Sequence, residues 1–208
     1  PIIGGSRVSG KVGQTNVGLL SMFTDEVEID GDIGIVKNNY SVARVNHDFA
    51  KSRSSLGGLF VNRNGIGISD DYNSVFALDG KLGLGKKAQI TGYISKSTTP
   101  GIKSREHAFK ILAVYNWNGW NLRAGYTEVG EGFNPEVGFL QRSAFKKPEF
   151  LIFKQWRPNN TGKFLEVRPH VSYRGYWNFN NTQETGFLHI DNHWVWESGF
   201  EIHTGINF

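Results

Sequence analysis

The sequence predicts an all-β fold: an antiparallel up-and-down meander of about twelve strands, closed as a transmembrane β-barrel or forming part of a larger one. Three observations over the 208 residues predict it. Apolar and polar residues alternate with period 2, tight turns alternate with long connections, and no run of about eighteen apolar residues exists to make a membrane-spanning helix.

Successive side chains of a strand point to opposite faces, so an alternating segment is a ribbon with one apolar and one polar side. Residues 163–208 show this most clearly. Leu165, Val167, Val171, Tyr173 and Trp177 oppose Glu166, Arg168, His170, Ser172 and Arg174. Leu188, Ile190, Trp194 and Trp196 oppose His189, Asp191, His193 and Glu197; Phe200, Ile202, Ile206 and Phe208 oppose Glu201, His203 and Asn207.

The remaining strands fall in pairs. Residues 6–13 precede 16–24, 40–49 precede 54–63, 74–85 precede 88–97, and 107–117 precede 120–126. Asn118-Gly119 joins the last of these and suits a type I′ hairpin, whose two central residues take positive φ. Residues 145–156 and 163–177 flank a turn at 158–162, and 187–196 precede 200–208. Connections inside pairs are tight, whereas those between pairs are long: 25–39, 64–72, 98–106, 130–142 and 178–186. With antiparallel neighbours, all short turns share one rim and all long loops the other, the layout of outer-membrane barrels with short periplasmic turns and long extracellular loops.

A soluble sandwich turns its apolar rows to a core, and a membrane barrel turns them to lipid. Three features favour lipid as the partner of the apolar row. Aromatic residues collect near strand ends (Tyr40, Trp117, Trp120, Tyr126, Trp156, Tyr176, Trp177, Phe208), the opposite row carries both charge signs, and loop lengths alternate throughout.

Composition narrows the function. The absence of cysteine excludes disulfides and thiolate chemistry. The net charge of +4 is spread among mixed signs, without the basic patch of a nucleic-acid-binding surface, so no nucleic-acid partner is expected. The chain opens at Pro1 with no targeting pattern, as expected of a processed chain or an internal portion of a longer protein.

Several segments together suggest a family. PIIGGSRVSGKVG at 1–13 is followed by NVGLLSMFTDE at 16–26, YSVARVNHDF at 40–49 and SSLGGLFVNR at 54–63, and GEGFNPEVGFLQR occupies 130–142. This ordered set resembles the outer-membrane β-barrel domain of unknown function that follows a family-9-like carbohydrate-binding domain in large Gram-negative surface proteins. The resemblance implies a single barrel domain over residues 1–208 within a longer protein, in the bacterial outer membrane. It implies a link to carbohydrate handling through the preceding module, and it supplies no catalytic residues.

Two sets of candidate site residues emerge. On the polar row, Arg168, His170, Arg174, His189, Asp191, His193, Glu201 and His203 would line a lumen. A hairpin turning near Ser198 sets His193 opposite His203, and a loop closing near Thr182 brings His170 level with His193. His170, His193 and His203 are therefore candidate metal ligands, since neighbouring imidazoles suit zinc or copper. In the long loop, Asn134, Pro135, Glu136 and Phe139 either fold inward as a constriction or bind a partner with Glu136 presented, or they form a loop anchored by Pro135 and Gly138 with Phe133 and Phe139 packed down. The acidic loop Asp25, Glu26, Glu28, Asp30 and Asp32 lacks the spacing of a calcium-binding EF-hand. Neither a Gly-x-Ser-x-Gly elbow nor a phosphate loop is present, and no cofactor is expected.

The expected function is an outer-membrane binding, transport or scaffold component with a polar, partly plugged lumen. Mixed lumen charge (Arg7, Lys11, Lys81, Lys110, Arg123, Arg168 and Arg174 against Asp79, Glu166, Asp191, Glu197 and Glu201) lets opposed side chains bridge the interior. Its partners would be outer-membrane lipid, other outer-membrane or periplasmic proteins, and glycan. Two alternatives stay open: a soluble secreted β domain binding glycan through Trp117, Trp120, Trp194 and Trp196, and a lumen-sited hydrolase.

Overall fold

The computed structural model describes residues 1–29, 32–158 and 164–208. Fourteen strands occur among them, and the helical content of the described residues is one 3-10 turn at Ala50–Ser52. They are β1 (Ile2–Val12), β2 (Thr15–Thr24), β3 (Val27–Ile29), β4 (Asp32–Ile35), β5 (Asn38–Phe49), β6 (Ser54–Gly65), β7 (Tyr72–Leu84) and β8 (Ala88–Thr98). There follow β9 (His107–Trp117), β10 (Trp120–Val129), β11 (Phe145–Lys154), β12 (Phe164–Trp177), β13 (Gln183–Trp196) and β14 (Glu201–Asn207).

Twelve strands form one sheet in the order β1-β2-β5-β6-β7-β8-β9-β10-β11-β12-β13-β14, an up-and-down meander with β1 and β14 at the ends of the order. Tight turns dictate it: Gly13 at φ +59 closes β1 onto β2, and Asn118 (φ 47) with Gly119 (φ 78) closes β9 onto β10, the left-handed geometry that a type I′ turn demands. The 25–39 connection, expected as an acidic loop, instead carries the two-stranded β3–β4 hairpin, with Val27 paired to Ile35. The connection after β12 is shorter than the expected 178–186, because Gln183–Trp196 is already strand. Asp30 and most of the turn expected at 158–162 lie outside the described residues.

The chain divides into two compact units. The first comprises Pro1–Leu82, Gly92–Phe109 and Val129–Ala144. Register places Val17, Leu19 and Phe23 of β2 on the same face as Ala43 and Val45 of β5, Gly58 and Phe60 of β6, and Phe76 and Leu78 of β7. This face is open: Leu19, Phe76 and Leu78 are 51%, 56% and 61% exposed. The opposite face holds Arg44, Arg63, Asn73 and Asp79, and its most completely buried side chains are Asn73 and Ser97. Arg44 forks onto Asp79 across Gly57, with Nη2 2.8 Å from Oδ1. A side chain at Gly57 would enter that guanidinium, its Cβ 2.7 Å from Nη2.

The second unit comprises Gly83–Thr91, Lys110–Glu128 and Phe145–Phe208. Ile111, Tyr115, Ile152, Ile190 and Ile206 are exposed on one face. The other face carries Glu149 opposite Arg174, Ser172 opposite His189, and His170 opposite Asp191.

Candidate functional site

The polar face of β12, β13 and β14 collects the histidines. His193 pairs with His203 as expected from the tight turn. His170 is not level with His193 as the sequence suggested: it stands opposite Asp191, and Arg168 is the residue opposite His193. The displacement follows from the shorter connection after β12; the register shift between Tyr176 and Trp177 makes up one position of it. Period-2 alternation keeps His170, His189, Asp191 and His193 on one side all the same.

These groups converge on one carboxylate oxygen. Oδ2 of Asp191 lies 3.9 Å from His170 Nε2, 3.7 Å from His189 Nε2 and 3.0 Å from His193 Nε2. The Nε2 atoms of His170 and His189 are 3.2 Å apart. Asp191 Oδ1 is shut off from solvent with no hydrogen-bond partner of ordinary geometry among the described residues.

Around this core lies an ionic frame. Arg168 donates from Nη2 to Glu201 Oε1 at 2.5 Å and lies 3.3 Å by Nε from Glu166 Oε1. Glu166 is buried and also accepts from Gln155 and Arg157, each at 2.7 Å. His203, the third expected ligand, sits away from Asp191: its Nε2 is 2.8 Å from Glu201 Oε1, and its ring is 3.8 Å from that of His193. Arg174 joins Leu112, Arg123, Glu149 and Phe187 around a cavity of about 290 Å³. Its guanidinium lies 4.9 Å above the Phe187 ring.

Sequence reasoning did not name Asn207 as a site residue, yet its Oδ1 lies 2.6 Å from His189 Nδ1. The count that sets His193 opposite His203 also sets His189 opposite Asn207. Gln155 and Arg157 had no such signal, since they reach Glu166 from beyond the end of β11. Glu197 lies past the end of β13, in the turn rather than on the polar row.

The loop candidates behave differently from one another. Asn134 and Glu136 are fastened to the polar face of the first unit. Asn73 donates from Nδ2 to the Asn134 carbonyl at 2.7 Å, Ser97 Oγ accepts from the Asn134 amide at 3.0 Å, and Glu136 accepts from Arg63 Nε at 2.5 Å. Pro135 brackets the turn, its carbonyl accepting from the Gly138 amide at 2.9 Å. Phe139 is 90% exposed, which overturns the packed-down alternative for that ring. Polar contacts hold Asn134 and Glu136, while of the two rings Phe133 is half-buried and Phe139 stands out. No family model matches the chain, and neither a curated protein nor a solved structure matches it.

Proposed function

We propose that the chain is a membrane-embedded β-barrel component of the outer-membrane type, with its apolar rows against lipid and its polar rows around a lumen narrowed by the 130–144 loop. The observation that supports this most is the inverted polarity of the first unit, together with the exposed isoleucines of the second. Asn73 and Ser97 are the most buried side chains, while Leu19, Phe76, Leu78, Ile94 and Ile152 stand in the open. Exposed apolar surface on this scale is unfavourable in water by roughly 25 cal/mol per Å² and calls for an apolar solvent.

Shallow apolar grooves suit acyl chains. One of about 610 Å³ lies over Ala43 and Gly58 between Leu19, Phe60 and Leu78; another of about 440 Å³ lies over Ala113 and Ala124 beside Leu84 and Ile152. The rim of the second unit has the make-up of a headgroup belt. Lys87 lies 5.4 Å from the Trp117 ring and Lys154 5.0 Å from the Trp120 ring, both beside the Asn118-Gly119 turn, and Trp156 is exposed nearby in sequence. Amphipathic rings with lysines beside them belong at the headgroup level.

On this reading the polar face binds or gates a polar solute, and the resemblance carried by the motifs in residues 1–142 agrees with a barrel that follows a carbohydrate-binding module in a surface protein. Folding into phospholipid vesicles tests it: the chain is expected to partition with lipid and to give low or intermittent conductance in planar bilayers. A chain that stays monomeric in buffer without detergent would refute the barrel, and a large steady conductance would refute the narrowed lumen.

A further inference from the structure

We propose that His170, His189 and Asp191 bind one divalent transition-metal ion of the zinc class, with His193 as orienting partner and fourth ligand. The set arises from strand register. His170 is level with Asp191, and His189 and His193 lie two residues to either side of Asp191 on the same face of β13. Ligand atoms sharing an ion at bonds of about 2.0–2.2 Å lie within roughly 4.2 Å of each other. His170 Nε2, His189 Nε2 and Asp191 Oδ2 are separated by 3.2, 3.7 and 3.9 Å.

Hydrogen bonding fixes which nitrogens are free to ligate. His170 Nδ1 lies 3.3 Å from the Arg168 carbonyl, which only accepts, so Nδ1 carries the hydrogen and Nε2 the lone pair. His189 Nδ1 lies 2.6 Å from Asn207 Oδ1 and is assigned the same way. Two imidazole lone pairs then face each other at 3.2 Å beside a carboxylate, an arrangement that repels unless a proton or a metal ion occupies the gap. Metal-binding imidazoles present themselves in this manner, with the far N–H donated to a carbonyl or side-chain oxygen.

His193 plays a second role. Its Nδ1 accepts from Arg168 Nη2 at 3.3 Å, so Nε2–H donates to Asp191 Oδ2 at 3.0 Å and aims the carboxylate. Moving that proton to Nδ1 exchanges the Arg168 contact for donation to Glu201 Oε1, 3.4 Å away, and frees Nε2 to ligate. Imidazoles with one carboxylate suit zinc, copper or iron(II) and not calcium or magnesium, which take oxygen ligands. The side chains of His170, His189 and His193 are 15%, 26% and 22% exposed, leaving an ion a way in.

The site rests on the register of β12, β13 and β14 and not on the lipid reading: metal binding without vesicle insertion would refute the barrel and leave the site standing. The test is titration of the untagged chain, in mild detergent, with Co²⁺ followed by Zn²⁺. One equivalent of Co²⁺ is expected to give visible d–d bands that one equivalent of Zn²⁺ abolishes and excess Ca²⁺ does not. His189→Ala and Asp191→Asn are expected to weaken binding at least about tenfold. His203→Ala, on the Glu201 side, should change it less than about twofold. Absence of a saturable Co²⁺ signal, undiminished binding in Asp191→Asn, or an equal loss in His203→Ala would overturn the assignment. Nitrogen hyperfine structure of Cu²⁺ in the unmutated chain gives a check free of folding defects: two or three imidazoles are expected, and one or none would overturn the site.

Discussion

Glu136 Oε2 lies 2.5 Å from Arg63 Nε, joining the long loop after β10 to the end of β6 across 73 positions of sequence. The same guanidinium donates from Nη2 to Asp71 Oδ1 at 2.6 Å and from Nη1 to Asn38 Oδ1 at 2.8 Å, so one planar fork fastens three segments. Arg63→Ala leaves two carboxylates facing an empty site. Both are about a quarter exposed, so solvent screening reduces the penalty to about 1–3 kcal/mol. The expected outcome is a lower unfolding midpoint and faster protease cleavage within 130–144, with Arg63→Lys only partly protective because a point charge cannot serve three acceptors.

Acid should release the same clamp. The Arg63 guanidinium holds the Asp71 carboxyl below its ordinary value, by hydrogen bond first and against the opposing effect of burial. Because the folded value is the lower one, this contribution is complete above the ordinary carboxylate value of about 3.9, begins to fade there, and is lost as pH falls through the folded value. Protease protection of the loop is therefore expected to be level from neutral pH to about 4 and to drop below that. Asp71→Asn should flatten the drop; an unchanged acid transition in that variant would remove Asp71 as its source.

Two glycines should differ in their response to a methyl group. A Cβ on Gly130 would collide with the Arg105 carbonyl oxygen, which is backbone and cannot swing away. Gly130→Ala is expected to destabilise by about 1–3 kcal/mol. At Gly57 the obstacle is the tip of Arg44, so Gly57→Ala should cost under about 1 kcal/mol, and chemical denaturation of the two variants side by side checks the order.

Leu78 separates the lipid and water readings of the apolar face. An arginine there should reduce insertion into vesicles by about 2–4 kcal/mol if the site lies near mid-bilayer, falling toward about 0–1 near an interface. In water the same exposed leucine would tolerate arginine or gain solubility. The fraction of chain that folds into vesicles with Leu78→Arg, beside unmutated chain, decides between them.

The twelve strands of the large sheet and their order were legible because period-2 alternation and tight turns are local properties. The face of every histidine in β12, β13 and β14 was legible for the same reason. The level of His193 with His203 was legible from the tight turn, and that of His170 was not. It depends on the length of the connection between Trp177 and Gln183, which no residue pattern announces, and so His170 meets Asp191 where His193 was expected. His189 was visible as a residue of the polar row but not as a ligand, because its approach to His170 is diagonal across the pair. The β3–β4 hairpin was hidden by acidic residues that read as a solvated loop. The fastening of Asn134 by Asn73 and Ser97 was out of reach altogether, since contacts this far apart in sequence leave no periodicity.

The register shift near the start of β12 has a consequence for how this sequence can change in length. Phe164 is opposite Trp196 and Glu166 is opposite Val195, so Leu165 is the supernumerary residue between two regular pairings. Phe164 thus stacks with Trp194 and Trp196 although it shares sequence parity with Arg168 and His170. Losing Leu165 would leave both rows where they are, whereas losing Val167 would exchange Glu166 between faces relative to everything after it. Gaps among homologous sequences should accordingly be found at position 165 and be absent from the body of the strand that follows.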